Sequence, residues 1–357
     1  MTNDQPALAT TPRSLSLGSF LAITGSFALI SLGITLLAPG LGPTRVDVMT
    51  ALHQWLTHSA ETGPMPAEAT ILMTLRMPRV ALAWMAGAAL ALGGAVFQAV
   101  LRNPLATPYT LGVASGGALG ASLAMSFPLL TMGLGPGRAV QVWSLAGSMV
   151  VMAGIFALAR GRRDLGTVGL LLAGVVFSSV CGAAMLLLRH LAEPNRLVRM
   201  DRWMMGNLDV AGWEPVLALM PFWVLGLAVL TLQARRLNAL ALGEEIAEAR
   251  GVHVARVQLV GLCTGSLLVA AVVAATGPIG FVGLMVPHMV RGLLGHDYRL
   301  TLPCTIMLGG VFLVLCDALA RTIAYPTELP VGILTAMLGG PFFLLILIRY
   351  RPFTRIS

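Results

Sequence analysis

Nine stretches of this chain contain no Asp, Glu, Lys or Arg, and they dictate what it can fold into. They run Ser14–Thr44, Val80–Leu101, Asn103–Gly137, Ala139–Ala159, Leu165–Leu188, Pro215–Ala234, Val257–Met289, Leu300–Cys316 and Leu329–Ile348. A helix crosses the hydrocarbon core of a bilayer with about 20 apolar residues. The seventh stretch holds the breaker cluster Thr276-Gly277-Pro278-Ile279-Gly280, which divides it in two. The count is therefore about ten transmembrane helices. A barrel is excluded, because barrel strands alternate polar and apolar over about ten residues and these runs are continuously apolar. Only 11% of the 357 residues are charged, against about 25% in a soluble domain. That shortage excludes an ordinary soluble enzyme, a disordered chain and a disulfide-stapled secreted module.

The few charges are informative by position. All 23 basic residues are arginines, and with 15 acidic residues they leave a net charge of +8. In a membrane chain such an excess reports topology, so nucleic acid is not expected as a partner. With a cytoplasmic N-terminal segment, residues 1–17, the inner side receives 14 arginines and the outer side nine. The sign is right for positive-inside, but the outward arginines need a reason of their own. The first run is too long for a signal-peptide core and Ala38-Pro39-Gly40 is a poor cleavage site, so it reads as a retained span. Cys181, Cys263, Cys304 and Cys316 all lie in apolar runs, and the six histidines form no ligand cluster. Neither a bound metal nor a cofactor is expected. No tail or linker marks a second domain, and residues 1–357 read as one transmembrane unit.

Outside the spans, Val46–Thr57 predicts a short surface helix in an outer loop, and residues 189–214 form a second long outer loop. On the inner side, Asn238–Val252 predicts a short helix, with Glu244, Glu245 and Glu248 ahead of Arg250 and Gly251 as its stop. An acidic cytoplasmic helix between two spans suits docking on a soluble partner. The spans themselves are rich in glycine, which lets helices approach closely in lipid. A short echo links Ala86-Gly87-Ala88-Ala89-Leu90 with Thr264-Gly265-Ser266-Leu267-Leu268, half a chain apart.

Three segments are too polar and too rich in Pro and Gly for generic spans. Leu75-Arg76-Met77-Pro78-Arg79 opens the second span, which ends at Gln98, Arg102 and the turn Asn103-Pro104-Leu105-Ala106. Irregular backbone at membrane depth requires protein or an aqueous cavity to satisfy it. The inner segment Leu240-Ala241-Leu242-Gly243-Glu244-Glu245 is the second. The third is Gly277-Pro278-Ile279-Gly280-Phe281-Val282-Gly283-Leu284-Met285-Val286-Pro287-His288, followed by Arg291, Asp317, Arg321, Glu328-Leu329-Pro330-Val331-Gly332-Ile333 and Gly339-Gly340-Pro341-Phe342-Phe343. Asp317 in an apolar run is costly unless paired, and Arg321 at i+4 predicts a local ion pair. His288 reads as a packed, hydrogen-bonded residue.

Together these segments resemble the membrane permease subunit of the iron-siderophore, heme and vitamin B12 ABC importers, the FecCD family, from about Leu75 to Arg349. The resemblance implies an all-α polytopic bundle of type II ABC importer architecture, with ten helices per subunit. It implies a multi-pass protein of the cell inner membrane working as a homodimer around a central pathway. Two ABC ATPase subunits would dock on the cytoplasmic face and a substrate-binding protein on the outer face, so this chain is not expected to be an enzyme. Its sequence has no GxxxxGK[ST] phosphate loop. The family's coupling segment falls on Leu240, Leu242, Gly243, Glu244, Glu245 and Gly251. Arg76, Arg79 and Arg321 occupy the positions that pair with the binding protein's glutamates. The cytoplasmic gate would involve Asn103, Leu105 and Thr167.

Ferric siderophores rank first as substrate on this resemblance, cobalamin second and heme third. The 19 methionines offer adaptable lining. A different class, an ion-coupled secondary transporter, would use Asp317 and His288 as coupling groups. An intramembrane enzyme would need more catalytic polar groups at membrane depth than these two.

Overall fold

The computed structural model describes residues 16–42, 46–58, 64–161 and 167–349, and the described residues are helical, with turns and extended segments between. In chain order the helices are α1 (Leu17–Leu37), α2 (Val48–Thr57), α3 (Ala67–Val100), α4 (Val113–Ser126), α5 (Pro136–Gly161), α6 (Thr167–Leu191) and α7 (Pro194–Met204). They continue as α8 (Glu214–Leu232), α9 (Ala234–Ala241), α10 (Glu244–Ala249), α11 (Val254–Thr276), α12 (Val282–Leu294), α13 (Tyr298–Ile323) and α14 (Val331–Arg349). Seven are long and apolar enough to cross a bilayer, namely α1, α3, α5, α6, α8, α11 and α13. The shorter apolar helices α4, α12 and α14 bring the described set to ten, the number read from the charge-free runs. Asp47 caps α2 by accepting from Met49 N and Thr50 N, which fixes the start of the expected surface helix.

The bundle is organised around α3, whose membrane-spanning part is buried along nearly its whole length. Small residues make this possible. A Cβ on Gly87 would strike the Gly309 carbonyl of α13, and one on Gly94 would strike the Gly283 carbonyl of α12. Lipid tails are as apolar as the helices, so close van der Waals packing of this kind holds helices together where the hydrophobic effect does not. The echo noted in the sequence falls on α3 and α11, which cross where Gly93 faces Gly265. Each is followed by a non-helical segment and then a short helix, α4 or α12. Gly117 of α4 lies against Val273 of α11, just as Gly283 of α12 lies against Gly94 of α3.

One boundary differs from the sequence reading. Arg76-Met77-Pro78-Arg79 does not open the second span. The helix begins at Ala67 and passes through Pro78 by way of a π-helical stretch, Ile71–Arg76. A proline inside a helix deprives the carbonyl four residues earlier of its donor. Here that carbonyl, on Thr74, accepts from Gly212 N at 2.7 Å, and the neighbouring Met73 carbonyl accepts from Trp213 Nε1 at 3.1 Å. The outer loop after α7 thus supplies the donors that keep α3 continuous.

Candidate translocation and coupling sites

The chain between α3 and α4 is held by its own side chains. Arg102 sits at φ +48°, an uncommon conformation for a residue with a Cβ. Asn103 Oδ1 accepts from Leu105 N at 2.9 Å, and Asn103 O accepts from Ala106 N at 3.1 Å, so the expected turn is present. From there the chain re-enters the bundle through residues 107–112. The second re-entrant piece, Gly277–Phe281, does the same between α11 and α12. Tyr109 joins the two, its hydroxyl accepting from Ile279 N at 2.8 Å. Backbone that has left the helical ladder must find partners elsewhere, and these two breaks partly satisfy each other.

Two cavities flank this junction. One, of about 260 Å³, is lined by Leu90, Leu105, Thr107, Val269, Phe281 and Leu284 among others. The second, of about 640 Å³, is bordered by Met204, Met205, Pro278, Ile333 and Met337. Tyr109 and Gly280 belong to both, and no charged residue among those described lines either. Leu105 is 44% exposed and reaches the first cavity. Thr167 starts α6, but its side chain lies outside the described residues. The structure therefore joins Asn103 and Leu105, two of the three residues expected at a gate, in one turn.

Below the junction, Gln98 ties α3 to α12. Its Nε2 donates to the Gly283 carbonyl at 3.2 Å and its Oε1 accepts from Arg291. His288 meets Phe342 of α14 edge to face, with ring centroids 6.5 Å apart. That agrees with a packed histidine.

At the outer end, Asp317 accepts from Arg79 Nε at 2.9 Å and pairs with Arg321 Nε at 3.1 Å. The expected i,i+4 pair is present, and α3 contributes a second cation. Arg79 Nη1 also reaches Glu328 at 2.7 Å, while Arg321 Nη1 donates to the Leu41 carbonyl and Arg76 Nη1 to the Pro39 carbonyl. Arg76, Arg79 and Arg321, the residues expected to pair with a binding protein's glutamates, are only 6%, 7% and 4% exposed in the subunit. Each guanidinium has turned inward, and besides the local Arg321–Asp317 pair their partners lie tens to hundreds of residues away in sequence. Arg79 Nη2 and Arg321 Nη2 are buried with no acceptor among the described residues.

The inner segment departs from the single helix read from the sequence. It forms two, α9 and α10, broken at Leu242-Gly243 because Gly243 adopts φ +129°, ψ 150°, a region essentially closed to other residues. Gly251 at φ +75° ends the segment. Leu240 is buried beneath it, whereas Leu242, Glu244, Glu245 and Ile246 face outward. Glu244 lies 3.7 Å from Arg102 Nη2 and accepts from Gln258 at 3.3 Å. Asn238 of α9 clasps the start of α13, donating to Asp297 Oδ1 at 2.6 Å and accepting from Tyr298 N at 2.8 Å. Partial burial disfavours the Asp297 carboxylate, but hydrogen bonds from Arg299 and Asn238 outweigh it and hold the group below the usual carboxylate range.

The profile of the FecCD transport family matches residues 17–349. This chain belongs to the FecCD family of ABC importer permeases. It is 41% identical to a hemin transport system permease protein of Yersinia pestis over 286 residues, covering 79% of this chain and 84% of the relative. It is also 41% identical to a cobalamin import system permease protein of Halobacterium salinarum, covering 78% and 73%. Its fold matches a solved inward-facing conformation of a putative metal-chelate type ABC transporter, with TM-score 0.80 and 29% identity over 92% of this chain and 99% of that one. The FecCD chain is a membrane transport subunit rather than an enzyme.

The sequence reading did not single out Tyr109, and it named Gln98, Asn238 and Glu328 without assigning them partners. Asn238 and Gln98 carry a legible signal, since each is a polar side chain beside or inside an apolar run. Tyr109 carries none, because its partner is a backbone N–H 170 residues away.

Proposed function

We propose that two copies of this permease form the pathway of an ATP-driven importer of ferric siderophores or similar bulky iron chelates in the cell inner membrane. The observation that carries this reading is the pair of re-entrant segments joined by Tyr109 and Ile279, with uncharged space on both sides, bordered on one of them by Met204, Met205 and Met337. Such a lining accommodates a large ligand without gripping it, which leaves selection to an external binding protein. Cobalamin is the second candidate and heme the third, and the named relatives support both as well as ferric chelates. On the inner face, Leu242, Gly243, Glu244, Glu245 and Ile246 present a small acidic and apolar surface for each of two ATPase subunits. On the outer face, carboxylates of the binding protein would complete the unused donors of Arg79 and Arg321, with Glu328 giving way.

The secondary-transporter alternative is disfavoured by one observation. Asp317 is clamped between two arginines and 1% exposed, so protonating it would break both pairs at once. The experiment is uptake into proteoliposomes holding the complete importer, with labelled ferric siderophore, cobalamin and hemin supplied on the cognate binding protein. ATP-dependent accumulation of the ferric chelate, unaffected by collapse of the proton gradient, is expected. Accumulation of cobalamin or hemin alone would reassign the substrate, and uptake that survives ATP removal but not gradient collapse would overturn the importer itself.

A further inference from the structure

A groove of about 650 Å³ opens where the inner ends of α1, α8 and α13 meet. Its membrane-side walls are Leu17 and Phe20 of α1 and Leu232 of α8, and its rim carries Arg235 of α9 and Arg299 of α13. Helix α1 is the least buried span. It packs on α13 and is tied to α3 by Trp84 Nε1 donating to Ser31 Oγ at 2.8 Å, near the middle of the span. Toward its inner end Leu17 is 74% exposed, and across the groove Leu232 is 81% exposed.

We propose that this groove holds one anionic glycerophospholipid of the cytoplasmic leaflet. The two kinds of wall select the ligand. Apolar side chains below the rim call for acyl chains, and a free phosphate ion would leave them uncovered. The rim calls for a negative headgroup. Arg299 already pairs with Asp297 at 2.8 Å, but Arg235 is exposed and has no carboxylate partner among the described residues. Basic pockets between spanning helices on the cytoplasmic side are suited to anionic headgroups. The bound lipid would join α1 to α8 and α13, filling a gap that the described side chains leave open. The inference is independent of which substrate the importer carries and requires only that α9 faces the cytoplasm.

The test uses the complete detergent-solubilised importer and native mass spectrometry, with phosphatidylglycerol, phosphatidylcholine and inorganic phosphate as separate probes. One phosphatidylglycerol retained per permease subunit is expected, at least five-fold preferred over phosphatidylcholine, with no phosphate adduct. Arg235→Gln should remove that preference, whereas Arg236→Gln, on the neighbouring residue outside the groove, should keep it. A second readout covers the case in which Arg235→Gln is unstable. A Leu232→Trp variant should be quenched more by chain-brominated phosphatidylglycerol than by the brominated phosphatidylcholine. Equal retention of the two lipids, equal quenching by them, or equal loss in the Arg235 and Arg236 variants would overturn the site. So would an adduct of inorganic phosphate alone.

Discussion

The two ends of this permease carry similar charges in opposite settings. At the outer end, Arg79, Asp317 and Arg321 are all under 8% exposed and lie within 3.2 Å of one another through their carboxylate. At the inner end, Arg102 and Glu244 stand 3.7 Å apart with side chains 41% and 53% exposed. A buried pair that loses one partner leaves an uncompensated charge in a medium that solvates it poorly. An exposed pair is solvated with or without its partner and contributes little. The outer cluster is therefore part of what holds α3 and α13 together. The inner charges are left free to engage something else, as a docking segment requires.

The largest expected effect breaks the buried side of that contrast. Asp317→Ala should destabilise the folded permease by about 3–5 kcal/mol, since it strands two guanidinium groups, and thermal unfolding in detergent would show it. Glu328→Gln should cost under about 1 kcal/mol, because Glu328 is 42% exposed and an exposed partner is replaced by water. Similar losses in the two variants would mean that the outer cluster is not a buried unit. Next in size is Gly94→Ala, whose methyl group would run into the Gly283 backbone. Overpacking of this kind costs about 1–3 kcal/mol, and the same melting experiment would detect it.

On the exposed side the comparison predicts a loss of function out of proportion to the loss of stability. Gly243→Ala forces a residue with a Cβ into φ +129°, at a local cost of about 1–3 kcal/mol, and should shift α10 relative to α9. Glu244→Gln removes a half-exposed charge at a cost below about 1 kcal/mol. Both should abolish transport and substrate-stimulated ATP hydrolysis by the assembled importer while the permease dimer stays intact by size-exclusion chromatography. Normal stimulated hydrolysis in both variants would show that this segment does not contact the ATPase. Arg102→Gly separates two roles within the same pair. Glycine tolerates φ +48°, so the turn should keep its shape while the link to Glu244 is lost.

The sequence made one side of this comparison far more legible than the other. Charge-free runs located all ten apolar helices, and Gly277-Pro278 located the break between α11 and α12, because both signals are local. The i,i+4 pair of Asp317 and Arg321 was legible for the same reason. The burial of Arg79 was not, since its partners Asp317 and Glu328 lie 238 and 249 residues away. Pro78 misled for a physical reason as well. A proline normally marks a helix start, but the carbonyl it orphans is satisfied by Gly212, a donor that only the folded chain brings near. The break at Gly243 was hidden because the acidic run after it and Gly251 are equally compatible with one helix or two.

The smallest expected effect concerns pH and sharpens the inner side further. Asp297 is the best-partnered carboxylate of the inner face, capping α13 and accepting from Asn238 and Arg299. Its pKa is lower in the folded protein than in the unfolded chain, where it is about 3.9. A group shifted in this direction contributes stability above its unfolded pKa and loses that contribution as pH falls through its folded value. The melting temperature should therefore be insensitive to this residue's titration between pH 5 and 8. Below about pH 4 the native protein should lose stability more steeply than Asp297→Asn, which retains a capping oxygen but has no charge to lose. Identical acid profiles for the two proteins would remove Asp297 from the clasp. A steeper native profile would show that the joint between α9 and α13 depends on charge, in contrast to the exposed Arg102–Glu244 pair.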